Sequence, residues 1–168
     1  RRIEFPIVTA QMLEGNIAYL SLAEFNAVAK KQTREALGKL LDQNPAALIF
    51  DLRANPGGFL ASAIDIASFF VAEGNILLER YSNGQIEEHP RRGELIVPVS
   101  LPVVVLVDRA SASAAEIVAG AIQDAGRGLL VGEQTFGKGS VQLPHTLSDK
   151  SMLRITIARW ETPLGRQI

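Results

Sequence analysis

The chain contains no cysteine. That absence excludes thiol nucleophiles, disulfides and thiolate metal sites. Its two histidines, His89 and His145, are too few and too scattered for a histidine-based metal site. Neither lies near a serine in a recognised pattern, and no G-x-S-x-G is present. Charge of one sign is also lacking: 17 basic against 18 acidic residues leave a net charge of −1. No strong field for nucleic acid or an anionic membrane follows. No apolar run is long enough to span a bilayer, and stretches such as Val103–Val107 are strand-sized. Internal repeats and low-complexity segments are absent. What is present is a globular balance: 168 residues, 47% hydrophobic, enough for one domain around one core. The chain opens on Arg1-Arg2 without methionine and stops at Gly165-Arg-Gln-Ile168. It therefore reads as a piece of a longer protein, which leaves room for a targeting segment outside it.

Hydrophobic patterning predicts alternating elements. Asn16–Leu22 reads as a strand, and Ala29–Leu41 as an amphipathic helix that exits at Asn44-Pro45. Ala46–Leu52 is a continuous apolar run, as expected of a strand buried on both faces. Leu60–Val71 reads as a buried helix, Asn75–Tyr81 as a strand and Ser82-Asn-Gly84 as a turn. The polar stretch Glu87–Glu94 reads as a surface hairpin or loop. Val103–Val107 is a second buried strand, Ala114–Ala125 a helix and Gly128–Gly132 a short strand. Val141–Thr146 and Met152–Trp160 alternate and predict an antiparallel pair at one edge. Strand–helix–strand units with short connections argue an α/β fold with helices packed on a sheet.

Two segments carry chemistry. Ala110-Ser-Ala-Ser-Ala-Ala-Glu116 follows a buried strand and opens a helix. The helix dipole and free N–H groups at such a junction can stabilise an oxyanion. The plainer reading is a helix cap, because Ser113 and Glu116 match the S-x-x-E capping box. Ser111 is a rival hydroxyl in the same turn, and local pattern does not choose between them. Thr135-Phe-Gly-Lys-Gly-Ser140 holds Lys138 between glycines. Gly132 to Lys138 matches most of a P-loop, but Gly139 stands where the magnesium-binding hydroxyl belongs. The residues that follow read as extended and carry Pro144, whereas a P-loop opens a helix. A third segment, Asn55-Pro-Gly-Gly58, follows the Ala46–Leu52 strand. It suits either a tight turn or an oxyanion hole. Asp51 and Asp124 are a conceivable carboxylate pair, although Asp51 is better placed to organise its turn and Asp124 to end a helix.

Taken in order, Asp51-Leu-Arg-Ala-Asn-Pro-Gly-Gly58, Ser111–Asp124 and Gly132–Gln142 resemble the C-terminal processing peptidases, or tail-specific proteases. The resemblance runs from Asn16 to Arg166. It implies a crotonase/ClpP-like α/β fold built of repeated ββα units, and a serine endopeptidase acting near protein C-termini. It assigns Ser113 as nucleophile, Lys138 as general base and Gln142 as a hydrogen-bonding assistant. The oxyanion donors map to the N–H of Ala114 and to Gly57 or Gly58, with Glu116 as an auxiliary near the dyad. Lys138 is expected to be buried and neutral, since only then can it take a serine proton.

No metal or cofactor is implied. Partners are proteins or peptides with apolar C-terminal tails, not nucleic acid, and a homo-oligomer stays open. Family members carry a PDZ domain upstream, and Arg1–Pro6 resembles the exit from one. The family's location is extracytoplasmic: periplasm, cell envelope or thylakoid lumen. The rival readings are a catalytically silent core that grips peptide tails, a crotonase-type acyl-CoA enzyme and a P-loop NTPase.

Overall fold

The computed structural model describes residues 6–168. The Arg1–Pro6 segment expected to leave a PDZ domain lies, but for Pro6, outside the described residues. Nine strands and three helices follow in the order β1 (Val8–Leu13), β2 (Ile17–Leu22), α1 (Ala29–Leu41), β3 (Ala47–Asp51), α2 (Leu60–Ala67), β4 (Asn75–Tyr81), β5 (Ile86–Pro90), β6 (Val103–Val107), α3 (Ala114–Asp124), β7 (Leu129–Gly132), β8 (Ser140–Thr146) and β9 (Met152–Glu161). The α/β expectation holds.

The strands form two sheets. One has the order β1-β2-β3-β6-β7, and the other β5-β4-β9-β8. In the first, β2, β3, β6 and β7 run parallel, and β1 closes the edge antiparallel to β2. Parallel strands need both faces covered. This explains why β3 and β6 read as unbroken apolar runs. Phe50 of β3 stacks on Phe70 with ring centroids 5.0 Å apart. Helix α3 touches both β7 of the first sheet and β4 of the second. Every residue from Ala114 to Ile122 is buried as a result. A helix enclosed on all sides has no polar stripe to show.

Two details differ from the sequence expectation. Strand β1 escapes the pattern because it is a half-exposed edge, with only Val8 and Met12 partly buried. Helix α2 stops at Ala67 rather than Val71. Ser68 Oγ donates to the Ile64 carbonyl at 2.6 Å, and Phe69 and Phe70 then bond back three residues, to Ile66 and Ala67. Such back-bonding and tightening ends a helix. The polar 87–94 stretch forms the surface hairpin that was one of its two expected readings, giving most of β5, the outer strand paired with β4. The β8–β9 antiparallel pair forms as predicted, with β8 at the sheet edge. Among the described residues no helix is long and apolar enough to cross a membrane.

Candidate active site

The parallel strands β3 and β6 end side by side, and the loops that leave them meet. Asn55 is the junction. It is fully buried, and its side-chain amide donates to the Leu22 carbonyl at 2.7 Å. Its Oδ1 accepts the Gly57 N–H at 2.8 Å, and its carbonyl accepts the Ala112 N–H at 2.9 Å. Asp51, at the end of β3, is buried and accepts from Tyr19 Oη at 2.7 Å and from the Arg53 guanidinium at 2.6 Å. Burial pushes the Asp51 carboxyl up, but the Arg53 and Tyr19 hydrogen bonds outweigh it and hold the group below its ordinary value. Asp51 and Asp124 do not pair: Asp124 instead holds Arg166 and the Leu164 N–H near the end of the chain.

Ser113 is the N-cap of α3, with φ 55° and ψ −115°. An ordinary N-cap sits in the extended region. A non-glycine residue at this φ is strained, and such strain gathers where a side chain must be presented in one direction. Ser111, the rival hydroxyl, is fully buried and spent on the loop. It donates to the Leu52 carbonyl at 2.8 Å and accepts the Asp108 N–H at 3.0 Å. Asp108 gathers the N–H groups of Ala54, Ala110 and Ser111, which hold its carboxyl low.

Gly57 lies directly against the serine. A Cβ on Gly57 would fall 2.8 Å from Ser113 Cβ and 2.9 Å from the Ala114 nitrogen. Of the two glycines, Gly57 has already given its N–H to Asn55, whereas the Gly58 N–H has no acceptor among the described residues. The Ala114 N–H, at the first turn of α3, is also without an acceptor. The turn packed against Ser113 and the helix that follows it thus each hold a backbone donor without an acceptor among the described residues.

Glu116 ties the Lys138 loop to the turn that carries Ser113. Its carboxylate is buried and accepts three backbone N–H groups: Ser113 at 2.7 Å, Gly137 at 2.6 Å and Lys138 at 2.9 Å. Phe136 adds an N–H bond to the Ser111 carbonyl at 3.0 Å. The backbone of the Lys138 loop is therefore pinned to the turn that carries Ser113. The Lys138 side chain is not. It is exposed, and no hydrogen bond joins it to Ser113. The expectation of a buried lysine is corrected on this point: the glycine-flanked loop is anchored through its N–H groups and leaves the long side chain in water. Gln142 is likewise exposed, on β8 beside the bulge between Val141 and Gln142.

His145 is exposed on β8, and His89 lies on β5, away from these loops. The P-loop reading fails, since Gly132–Gly139 leads into a strand rather than a helix. Sequence reasoning missed Asn55 and Asp108 as loop-setting residues. Their signal was an Asx residue in the loop that leaves each buried strand.

The family model for peptidase family S41 matches residues 16–168. The carboxyl-terminal-processing protease of Synechocystis sp. is 43% identical over 153 residues, covering 91% of this chain and 35% of that protein. The carboxy-terminal processing protease CtpA of Bacillus subtilis is 36% identical over 171 residues, covering 100% of this chain and 36% of that protein. Among solved structures, a photosystem II D1 C-terminal processing protease superposes with a TM-score of 0.89 at 34% identity, over 99% of this chain and 46% of that one. The chain thus spans about a third of the length of these curated relatives. A family match that takes in every loop of the site, carried on the same fold, makes this chain a member of peptidase family S41.

Proposed function

We propose that this chain is the catalytic core of a serine endopeptidase that cuts proteins near their C-termini. The observation that carries the proposal is the strained Ser113, set at a helix N-terminus with the unused Ala114 N–H beside it and the 55–58 turn packed against it. Ser113 Oγ attacks the scissile carbonyl carbon while its proton passes to Lys138 Nζ. The Ala114 and Gly58 N–H groups hold the oxyanion, each worth roughly 3–4 kcal/mol in such sites. Lys138 then returns the proton to the leaving amine, and the carbon–nitrogen bond breaks. Water attacks the ester carbonyl and loses a proton to Lys138, which passes it to the departing Ser113 Oγ as the ester bond breaks and the new C-terminus is released. Peptide hydrolysis balances without metal or cofactor.

Glu116 supports Lys138 as base because it fixes the lysine backbone to the serine turn, leaving only side-chain torsions to bring Nζ inward. Gln142 would hydrogen bond to Lys138 in that closed arrangement. Phe59 and Phe136, both strongly exposed, stand one on each loop and offer apolar contact to a tail. The free edge of β8 suits an extended peptide. An upstream PDZ domain and an extracytoplasmic setting belong to the same proposal.

The exposed Lys138 favours one alternative, a silent core that binds tails without cutting them. A fluorophosphonate probe separates the two, because labelling of Ser113 needs an activated hydroxyl. Labelling that vanishes in Ser113→Ala and falls sharply in Lys138→Ala supports the dyad. An unlabelled wild-type chain, or full peptide cleavage by either variant, would sink it.

A further inference from the structure

Three metal-ligating side chains converge on the β4–β5 hairpin, apart from the residues proposed for catalysis. Glu79 and Glu87 are directly opposite each other across the antiparallel pair, and His89 is two residues beyond Glu87 on the same face. The nearest donor atoms of the three all lie within 4.8 Å of one another. His89 Nε2 is 3.2 Å from Glu79 Oε2. The Glu79 side chain is only 9% exposed.

The charges do not balance. Like charges facing each other across a β pair destabilise it, and a buried carboxylate calls for a partner charge or a metal. No lysine or arginine forms an ion pair with Glu79 or Glu87 among the described residues. Arg80, next in the chain, is taken by Glu161. The Tyr81 hydroxyl donates to Glu87 Oε2 at 3.1 Å.

We propose that Glu79, Glu87 and His89 form a binding site for a zinc-class divalent cation. One imidazole and two carboxylates are a borderline nitrogen–oxygen set, which suits zinc better than magnesium or calcium. Bonds of about 2.0–2.1 Å at tetrahedral angles put neighbouring ligand atoms about 3.3 Å apart. The His89–Glu79 pair already has that spacing. Glu87 is exposed and free to close the third corner, leaving the fourth for water. Tyr81 supports Glu87 from outside, as hydrogen-bonded residues behind metal ligands do. The sequence alone argued against a histidine-based metal site. Hairpin register places a single histidine with two glutamates.

Titration of the metal-free protein with zinc chloride by calorimetry, near neutral pH, tests the site. Saturable one-site binding is expected, weakened about tenfold or more in Glu87→Gln and His89→Ala and unchanged in His145→Ala. Zinc should raise the melting temperature of the wild type and not of Glu87→Gln, whose side chain is exposed and whose fold is kept. Cobalt(II) should give visible bands that are lost in His89→Ala. No saturable binding by the wild type, or wild-type affinity in His89→Ala, would overturn the proposal.

Discussion

Gly57 leaves no room between itself and Ser113. A Cβ at Gly57 would lie 2.8 Å from Ser113 Cβ and 2.7 Å from the Ala112 carbonyl oxygen, and its φ of 99° already favours glycine. The two loops meet backbone to backbone, and the missing side chain is what lets the 55–58 turn pack against the serine.

Gly57→Ala should therefore force the loops apart. The expected cost is about 1–3 kcal/mol of stability, from clash and from the unfavourable φ. Peptide hydrolysis should fall by about a hundredfold or more, since a displaced oxyanion donor costs that much. Denaturant unfolding and steady-state cleavage measure the two effects. A variant as active as wild type would separate Gly57 from the site.

The strained Ser113 predicts a trade between stability and activity. Ser113→Ala keeps the positive φ and its strain, while Ser113→Gly relieves it. The glycine variant should be the more stable of the two by about 1 kcal/mol, after the entropic cost of glycine in the unfolded chain. Both should be inactive. Thermal melts of the pair decide it, and equal stability would mean that the backbone at Ser113 carries no strain.

Glu116 holds three N–H groups with one buried carboxylate, so Glu116→Ala should release the Lys138 loop. Hydrogen bonds to a charged acceptor contribute about 1.5–3 kcal/mol each, part of which water would restore. Faster amide exchange is expected at Gly137 and Lys138, with little change in the β6 core. Cleavage should drop about a hundredfold through mispositioning. Unchanged exchange at these amides would contradict the tether.

Asp51 gives an acid-dependent stability. Its folded pKa lies below the unfolded value, mainly because its bonds to Arg53 and Tyr19 overcome the effect of burial. The contribution is present above the ordinary carboxyl value of about 3.9, and is lost as pH falls through the lower folded value. Asp108, held low first by the Ala54 N–H, adds in the same direction. Asp51→Asn should lose about 1–3 kcal/mol at neutral pH, moderated because Arg53 is half exposed. Its unfolding midpoint should also fall less steeply below about pH 4 than that of wild type. An unaltered acid slope would remove Asp51 from this account.

Much of this protein was legible along the chain. The buried runs of β3 and β6, the helical period of α1 and the alternation of β8 and β9 are local patterns with local causes. The half-exposed edge β1 was not, because its pairing rests on a neighbour rather than on its own periodicity. For the candidate site, residue types and order marked Ser113, Lys138, Glu116 and the glycines, but not what each already spends its bonds on. That Ser111 is used up and Gly58 rather than Gly57 is free follows from hydrogen bonds between loops distant in sequence. Lys138 divides the same way: its flanking glycines predict close backbone approach, which Glu116 realises, while its side chain remains exposed. The sequence by itself determined the alternation of elements and the residues available for chemistry, because periodicity and turn chemistry act between near neighbours. Which donors stay free, which hydroxyl is strained and where the lysine stands were decided only by the tertiary structure, because those depend on partners the chain brings together from afar.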